Sequence, residues 1–209
     1  MFKELLTSIL ISSSLQAAPL VVTEDKMPAL PNESSPFRGK VNHSGYVGHT
    51  WVGYPHVENP ASLDMDPMGR IFVAEANRFW FGVPDLRRAR EMIREDFRSR
   101  TTADRLAMYD KHADKRDRAW YTQIPDRLIR LEDRDGNGVA DHRTLFSDAF
   151  KEPLDGIGFS VLAERNATYF TCIPALRRLT DPNDDGVADT NDKIVNGFGV
   201  RVSFIGHDL

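Results

Sequence analysis

The sequence predicts a mainly β protein, a partial β-propeller of about two blades with one helical insertion. An acidic phrase with internal glycines occurs twice, at 133–141 and 181–189, and the offset between the copies is 48 residues (181 − 133). Repeats of about 40–50 residues are typical of four-stranded propeller blades. Short apolar runs bounded by turn residues flank both copies, as expected for the strands of such blades.

The N-terminal residues 1–18 have the pattern of a signal peptide. Lys3 precedes a short apolar run that ends near Leu15, and small residues follow at Ala17 and Ala18. The run is too short to span a bilayer, so no transmembrane helix is expected. The chain is therefore predicted to be exported to the periplasm or the cell envelope. The alternative is an amphipathic N-terminus without a targeting role.

The rest of the chain divides into two parts. Residues 19–60 are predicted to be an extended lead-in, because they are rich in Pro, Gly, Ser and Asn. Residues 61–209 are assigned to the partial propeller. It begins with a hairpin over 61–75, in which Pro67 and Gly69 suit a tight turn.

A helical insertion is predicted over residues 84–115, where the β pattern breaks. Pro84 suits a first helical turn, and Thr101 with Thr102 can cap a second helix. The residues predicted to share one face of the first helix are Leu86, Ala89, Ile93 and Phe97. After the insertion, strands are predicted at 126–131, 143–146, 156–161, 167–173, 175–179 and 192–195.

Composition narrows the function classes. The 27 basic and 31 acidic side chains give a net charge of −4, which argues against non-specific nucleic-acid binding. The single Cys172 excludes an intramolecular disulfide and, within an apolar run, is predicted to be a buried small hydrophobe. No Cys-x-x-Cys-His haem-attachment motif is present in the sequence.

The acidic turns are candidate calcium sites. Calcium binds six to eight oxygens, which alternating Asp and Asn side chains beside a glycine can supply. The candidate ligands are Asp133, Asp135, Asn137 and Asp141 in the first turn and Asp181, Asn183, Asp185, Asp189 and Asp192 in the second. Thr144 stands where the first copy needs a bidentate acid, and strands flank both copies, so an EF-hand pair is not expected. The alternative is a metal-free turn whose Asp and Asn side chains bond their own backbone.

Several stretches together resemble a known family: 60–66, 69–75, 81–86, 126–141, 181–189 and 197–201. They are similar to the membrane-bound dehydrogenases of planctomycetes and verrucomicrobia. The N-terminal six-bladed propeller of those proteins is related to the soluble quinoprotein glucose and sorbosone dehydrogenases. The resemblance covers roughly residues 55–209. It implies a propeller of the six-bladed type, of which this chain is an N-terminal fragment.

The resemblance also implies an activity, the transfer of hydride from a sugar or aldose hydroxyl to pyrroloquinoline quinone. His207 resembles the general base of the related enzymes, and the ordinary pKa of histidine suits that role. Arg201 could pair with a carboxylate of the cofactor. The alternatives are a solvated His207 and an Arg201 that pairs with Asp208. A sugar or another small molecule is the implied substrate, and a c-type cytochrome domain or protein is the implied electron acceptor.

Two other function classes stay open at this point. One is a non-catalytic propeller module, with or without calcium, that binds a glycan or a protein at the cell envelope. The other is a calcium-stabilised structural protein of the envelope. The fragment alone is expected to be inactive, because two blades cannot close a ring around a central site.

Overall fold

The computed structural model describes residues 50–79 and 81–202. These ranges contain two four-stranded antiparallel sheets in which strand order follows chain order. The first sheet consists of β1 (Pro60–Met65), β2 (Ile71–Glu75), β3 (Asp126–Glu132) and β4 (His142–Phe150). The second consists of β5 (Gly158–Glu164), β6 (Ala167–Cys172), β7 (Ala175–Thr180) and β8 (Thr190–Asn196). The prediction of a mainly β chain is confirmed.

The strands form where apolar and polar residues alternate, because successive side chains of a strand point to opposite faces. In β6, for example, Thr168, Phe170 and Cys172 are buried and the residues between them are half-buried. The predicted hairpin between β1 and β2 is also present. It is closed by the Gly69 amide, which donates to the Asp66 carbonyl at 3.0 Å. Gly69 has a φ of +84°, a conformation that side chains other than glycine adopt rarely.

The two sheets pack face to face around one apolar core. The rings of Phe72 and Phe146 meet edge to face at 5.0 Å between centroids, and those of Phe150 and Phe170 lie 4.6 Å apart. The opposite face of the first sheet buries a smaller cluster against the lead-in. Its buried and half-buried members include Val73, Ile129, Leu131, Ala140, Trp51, Val52 and Val57.

The helices of the described ranges lie between β2 and β3. They are a 3₁₀ turn at Arg90–Met92, α1 (Ile93–Arg98), α2 (Thr102–Lys111) and α3 (Arg118–Thr122). Thr101 caps α2 as predicted. Its side chain accepts from the Asp104 amide at 3.1 Å, and the Asp104 carboxylate accepts from the Thr101 amide at 2.9 Å.

The first predicted helix is wrong in its start and in the burial of Phe97. Helical structure begins at Arg90 rather than Pro84, because the Asp85 carboxylate accepts from the Arg87 amide at 2.9 Å and holds a separate turn there. Of the predicted face, Ala89 is buried and Leu86 is partly buried against the same cluster, whereas Phe97 is 64% exposed.

The targeting prediction falls on residues 1–18, which lie outside the described ranges. Within those ranges, the structure contains no helix with the length and apolar character needed to cross a membrane.

Candidate functional site

The first acidic turn is closed by its own side chains. The Asp133 carboxylate accepts from the backbone amides of Gly136 at 2.8 Å, Asn137 at 3.1 Å and Gly138 at 2.8 Å. These donors, first among them the Gly138 amide, hold the pKa of Asp133 below its ordinary value. The turn is further braced by Asp141, whose carboxylate accepts from the Arg134 amide at 2.9 Å.

The second acidic turn repeats this construction. The Asp181 carboxylate accepts from the amides of Asp185 at 3.2 Å and Gly186 at 2.9 Å. The Asp185 carboxylate in turn accepts from the Val187 amide at 2.9 Å, and the Asn183 side chain accepts from the Asp185 amide at 3.2 Å. Gly186 has a φ of +88°, so the turn needs the conformational freedom of glycine at that position.

Two arginines, one on β3 and one in the β1–β2 turn, form ion pairs with the second acidic turn. Arg130 on β3 is only 2% exposed, and its guanidinium lies 3.0 Å from the Asp181 carboxylate and 2.8 Å from the Asp184 carboxylate. Arg70 pairs with Asp184 as well and is held by Asp66 at 2.5 Å. We call Arg70, Arg130, Asp181 and Asp184 the arginine latch, because they fasten a turn of the second sheet to the first sheet.

One predicted calcium ligand of the second turn, Asp192, lies apart from Asp181. Asp192 lies opposite Arg178 in the β7–β8 ladder, three residues back along β7 from Asp181. At about 3.3 Å per strand residue this separates the two positions by about 10 Å. Asp181 also has Arg130 as its cationic partner. Asp192 is therefore not placed to share a calcium ion with Asp181 in this arrangement.

Metal-ligating side chains do not cluster elsewhere in the described ranges either. No group of three or more His, Cys, Asp or Glu residues in 50–79 and 81–202 is arranged to hold a metal ion. Asp135 and Asn137 in the first turn instead bond one another, with the Asn137 amide and side chain donating to Asp135 at 3.1 Å and 2.9 Å. The acidic turns have the geometry of the hydrogen-bonded alternative.

A polar cleft of ≈ 400 Å³ opens beside the arginine latch. Its wall consists of the β5–β6 turn, the β1–β2 turn and the second acidic turn. The polar residues of this wall are Arg70, Arg165, Asn166, Thr180, Asp181 and Asp184. Guanidinium, amide, hydroxyl and carboxylate groups together offer both donors and acceptors for a hydroxylated ligand.

The opposite ends of the sheets carry a buried polar group that the sequence analysis missed. Arg78 is fully buried, and its guanidinium donates to the carbonyls of Asp155 at 2.9 Å and Glu152 at 3.2 Å. The Arg78 amide donates to the Asp126 carboxylate at 2.7 Å. Burial raises the pKa of Asp126 to about 6.

Two further members complete this buried group. The Asp155 carboxylate lies 2.9 Å from the Arg177 guanidinium, and burial raises the pKa of Asp155. Cys172 is fully buried nearby, as predicted, and burial raises its thiol pKa well above the ordinary value. It is therefore not poised as a nucleophile. No local pattern marks these residues, since a buried charge and a surface charge look alike in sequence.

The residues assigned to the cofactor fall in different places. Arg201 lies against the helical insertion, with its guanidinium 5.9 Å from the Phe97 ring centroid and its charge acting on Asp96. Asp96 is buried and accepts from the Val202 amide. Arg201 thus contacts groups of the helical insertion. His207 lies outside the described residues.

The sequence comparisons locate the chain in a family. The family described as "Domain of unknown function (DUF7133)" matches residues 42–203. The chain belongs to this family. The match includes both sheets, the helical insertion, the arginine latch and the buried polar group. No curated protein and no solved structure matches the chain.

Proposed function

We propose that the chain is a section of an exported β-propeller oxidoreductase of the quinoprotein sugar dehydrogenase type. In this proposal β1–β4 and β5–β8 are consecutive blades of a six-bladed ring. The observation that supports it is the placement of the first strands, because the Ala163 amide of β5 donates to the Asp64 carboxylate of β1 at 2.8 Å. First strands of successive blades lie side by side around the central channel of a propeller.

The oxidoreductase part of the proposal takes its support from the sequence resemblance. Hydride would pass from a sugar hydroxyl to pyrroloquinoline quinone, and a c-type cytochrome would accept the electrons. His207 is the proposed base, and Arg201 is the residue proposed to bind a cofactor carboxylate. Arg201 would have to leave the Phe97 ring to do so.

The test is an activity assay on the product of the complete reading frame. The gene is sequenced past codon 209, the encoded protein is loaded with pyrroloquinoline quinone, and dye reduction is followed with a panel of aldoses. We expect sugar-dependent reduction that His207→Ala abolishes and His56→Ala leaves intact. His56 is a suitable control because it is half-buried in the lead-in. A folded, quinone-loaded protein that reduces no dye with any sugar contradicts the proposal.

A second candidate is a non-catalytic module that binds a glycan at the cell envelope. The polar cleft beside the arginine latch favours it, because its side chains can hydrogen-bond sugar hydroxyls. Calorimetric titration with neutral and acidic oligosaccharides tests this function. We expect Arg165→Ala and Asn166→Ala to weaken binding, and Arg134→Ala, on the exposed first turn, to have no effect. Absence of binding by the folded wild-type chain rules this candidate out.

A further inference from the structure

The two sheets repeat one another in register, 48 residues apart. The pairs Leu128–Ser147, Ile129–Leu145 and Arg130–Thr144 of β3 and β4 recur as Leu176–Val195, Arg177–Lys193 and Arg178–Asp192 of β7 and β8. Even the irregularity in the ladder recurs at the same place, after Leu128 and after Leu176. The seam between the sheets can therefore be compared, position by position, with the outward face of the second sheet.

Three kinds of contact hold the existing seam together. Arg130 pairs with Asp181 of the following repeat. The Phe146 carbonyl on the edge strand β4 accepts from the Ala188 amide of the following turn at 2.8 Å. Phe72, Leu128 and Phe146 are buried in the shared core.

Each of these seam residues has a counterpart on the outward face of the second sheet. Arg178 corresponds to Arg130, Ile194 to Phe146, Leu176 to Leu128 and Tyr169 to Phe72, with Leu162 beside Tyr169. Ile194 is 46% exposed and Leu162 is 53% exposed. Within the described ranges Arg178 forms no ion pair, although Asp192 lies opposite it in the β7–β8 ladder. It has no cross-sheet aspartate of the kind that Arg130 has in Asp181.

We propose that this outward face binds a further four-stranded sheet that presents an acidic turn of the 181–189 type. An aspartate of that turn pairs with Arg178, and a backbone amide of the turn donates to the Ile194 carbonyl. The apolar side chains of Leu162, Tyr169 and Leu176 are covered by the incoming sheet. Charge complementarity and the observed seam both define this occupant, because the same contacts already join the first two repeats.

A second copy of the chain does not suit this position. Its acceptor face would be the outer face of its first sheet, which the lead-in already covers. The Ala140 amide there donates to the Trp51 carbonyl at 2.9 Å, the same contact that Ala188 makes with Phe146. Residues near Trp51 thus occupy the place of a preceding edge strand, and a docking copy would have to displace them.

The test adds the proposed occupant to the same chain as a third repeat. A duplicate of residues 155–202 is inserted directly after Val202, so the duplicate of Asp181 follows Arg178 by the same 51 positions that separate Arg130 from Asp181. Hydrogen exchange of peptides from β7 and β8 is compared with that of the natural chain. We expect exchange in β8 to slow by roughly tenfold or more, since its exposed backbone becomes an internal part of the structure.

Variants assign that protection to the proposed contacts. We expect Arg178→Gln to remove most of the added protection. An Asp→Asn substitution at the duplicate of Asp181 should have the same effect. The double variant should lose no more protection than either single variant. Arg134→Gln, on the exposed first turn, is the matched control and should leave the protection unchanged.

Three outcomes would overturn the proposal. The first is unchanged hydrogen exchange in β8, whether or not the duplicate folds. The second is that the Arg178→Gln variant keeps the full added protection. The third is a dimer of the natural chain in sedimentation that depends on Arg178. The last result would make a second copy the occupant. The inference rests on the blade architecture of the proposed function and not on its oxidoreductase activity. A quinone-loaded protein that reduces no dye and unchanged hydrogen exchange in β8 are therefore separate failures.

Discussion

The buried carboxylate of Asp126 accepts a 2.6 Å hydrogen bond from the backbone amide of Gly158. The first residue of β3 is thereby tied to the first residue of β5, at the ends of the sheets opposite the acidic turns. The same carboxylate holds the Arg78 amide. One ionisable group thus joins the first sheet, the second sheet and the segment that follows β2.

The stability of the chain should therefore depend on the ionisation of Asp126. Its pKa is raised from 3.8 to about 6 in the folded chain, so the folded state binds more protons than the unfolded state between these values. This contribution to the free energy of unfolding is present at low pH and is lost as the pH rises through about 6. We expect the wild-type chain to gain about 2 kcal/mol relative to Asp126→Asn between about pH 7 and pH 4.5, measured by urea unfolding.

A second variant controls for general pH effects. The Arg118 guanidinium holds the pKa of Asp110 below its ordinary value, so the contribution of Asp110 has the opposite sign and is lost only as the pH falls below about 4. Asp110→Asn should leave the profile between about pH 4.5 and 7 unchanged. Parallel profiles for the wild type and Asp126→Asn would contradict the assignment.

Gly186 should tolerate alanine much less well than Gly136. Both have a positive φ, but a Cβ at Gly186 would lie 2.7 Å from Thr144 Oγ1 in the other sheet, whereas nothing lies within 4 Å at Gly136. Backbone strain costs about 1–2 kcal/mol at either position, and overpacking adds about 1–3 kcal/mol at Gly186 alone. Thermal and urea unfolding of the two variants measures the difference. If the two variants were equally destabilised, the contact between Gly186 and Thr144 would not be tight enough to exclude a methyl group, which would contradict the prediction.

Arg105 should stabilise the packing of residues 197–202 against the helical insertion. It is 1% exposed, and its guanidinium donates to the carbonyls of Gly199 at 2.6 Å and of Leu154. Arg105→Met leaves both carbonyls without this donor, so we expect a loss of about 2–4 kcal/mol and faster hydrogen exchange over 197–202. Arg98→Met, on the exposed side of α1, should change stability by less than about 0.5 kcal/mol. Similar effects of the two substitutions would disprove this role.

Calcium should not stabilise the chain. A site with a dissociation constant of about 10 µM would add about 2.7 kcal/mol at about 1 mM calcium and raise the unfolding temperature by several degrees. We expect the same unfolding temperature with calcium and with chelator, because the turn carboxylates are engaged by backbone amides and, in the second turn, by Arg130. A calcium-dependent rise that Asp181→Asn removes would restore the calcium interpretation.

Turn-forming residues and the alternation of apolar and polar residues predicted the strands well, because both signals depend on neighbouring residues. All four strands of the second sheet overlap the predicted runs, and Thr101 caps its helix as expected. The first helix was misplaced because Asp85 offers the backbone a turn that competes with the helix. No local pattern indicates that the fold brings the Phe97 ring close to the Arg201 guanidinium.

The sequence by itself determined the repeat and the positions of the strands and acidic turns, all of which depend on residues close together in the chain. Only the tertiary structure decided which charges meet. Arg130 and Asp181 are 51 positions apart, and Arg78 and Asp155 are 77 apart. Such pairs form because two sheets pack at a defined distance and register and exclude water between them. Neither quantity is encoded in any local pattern of residues.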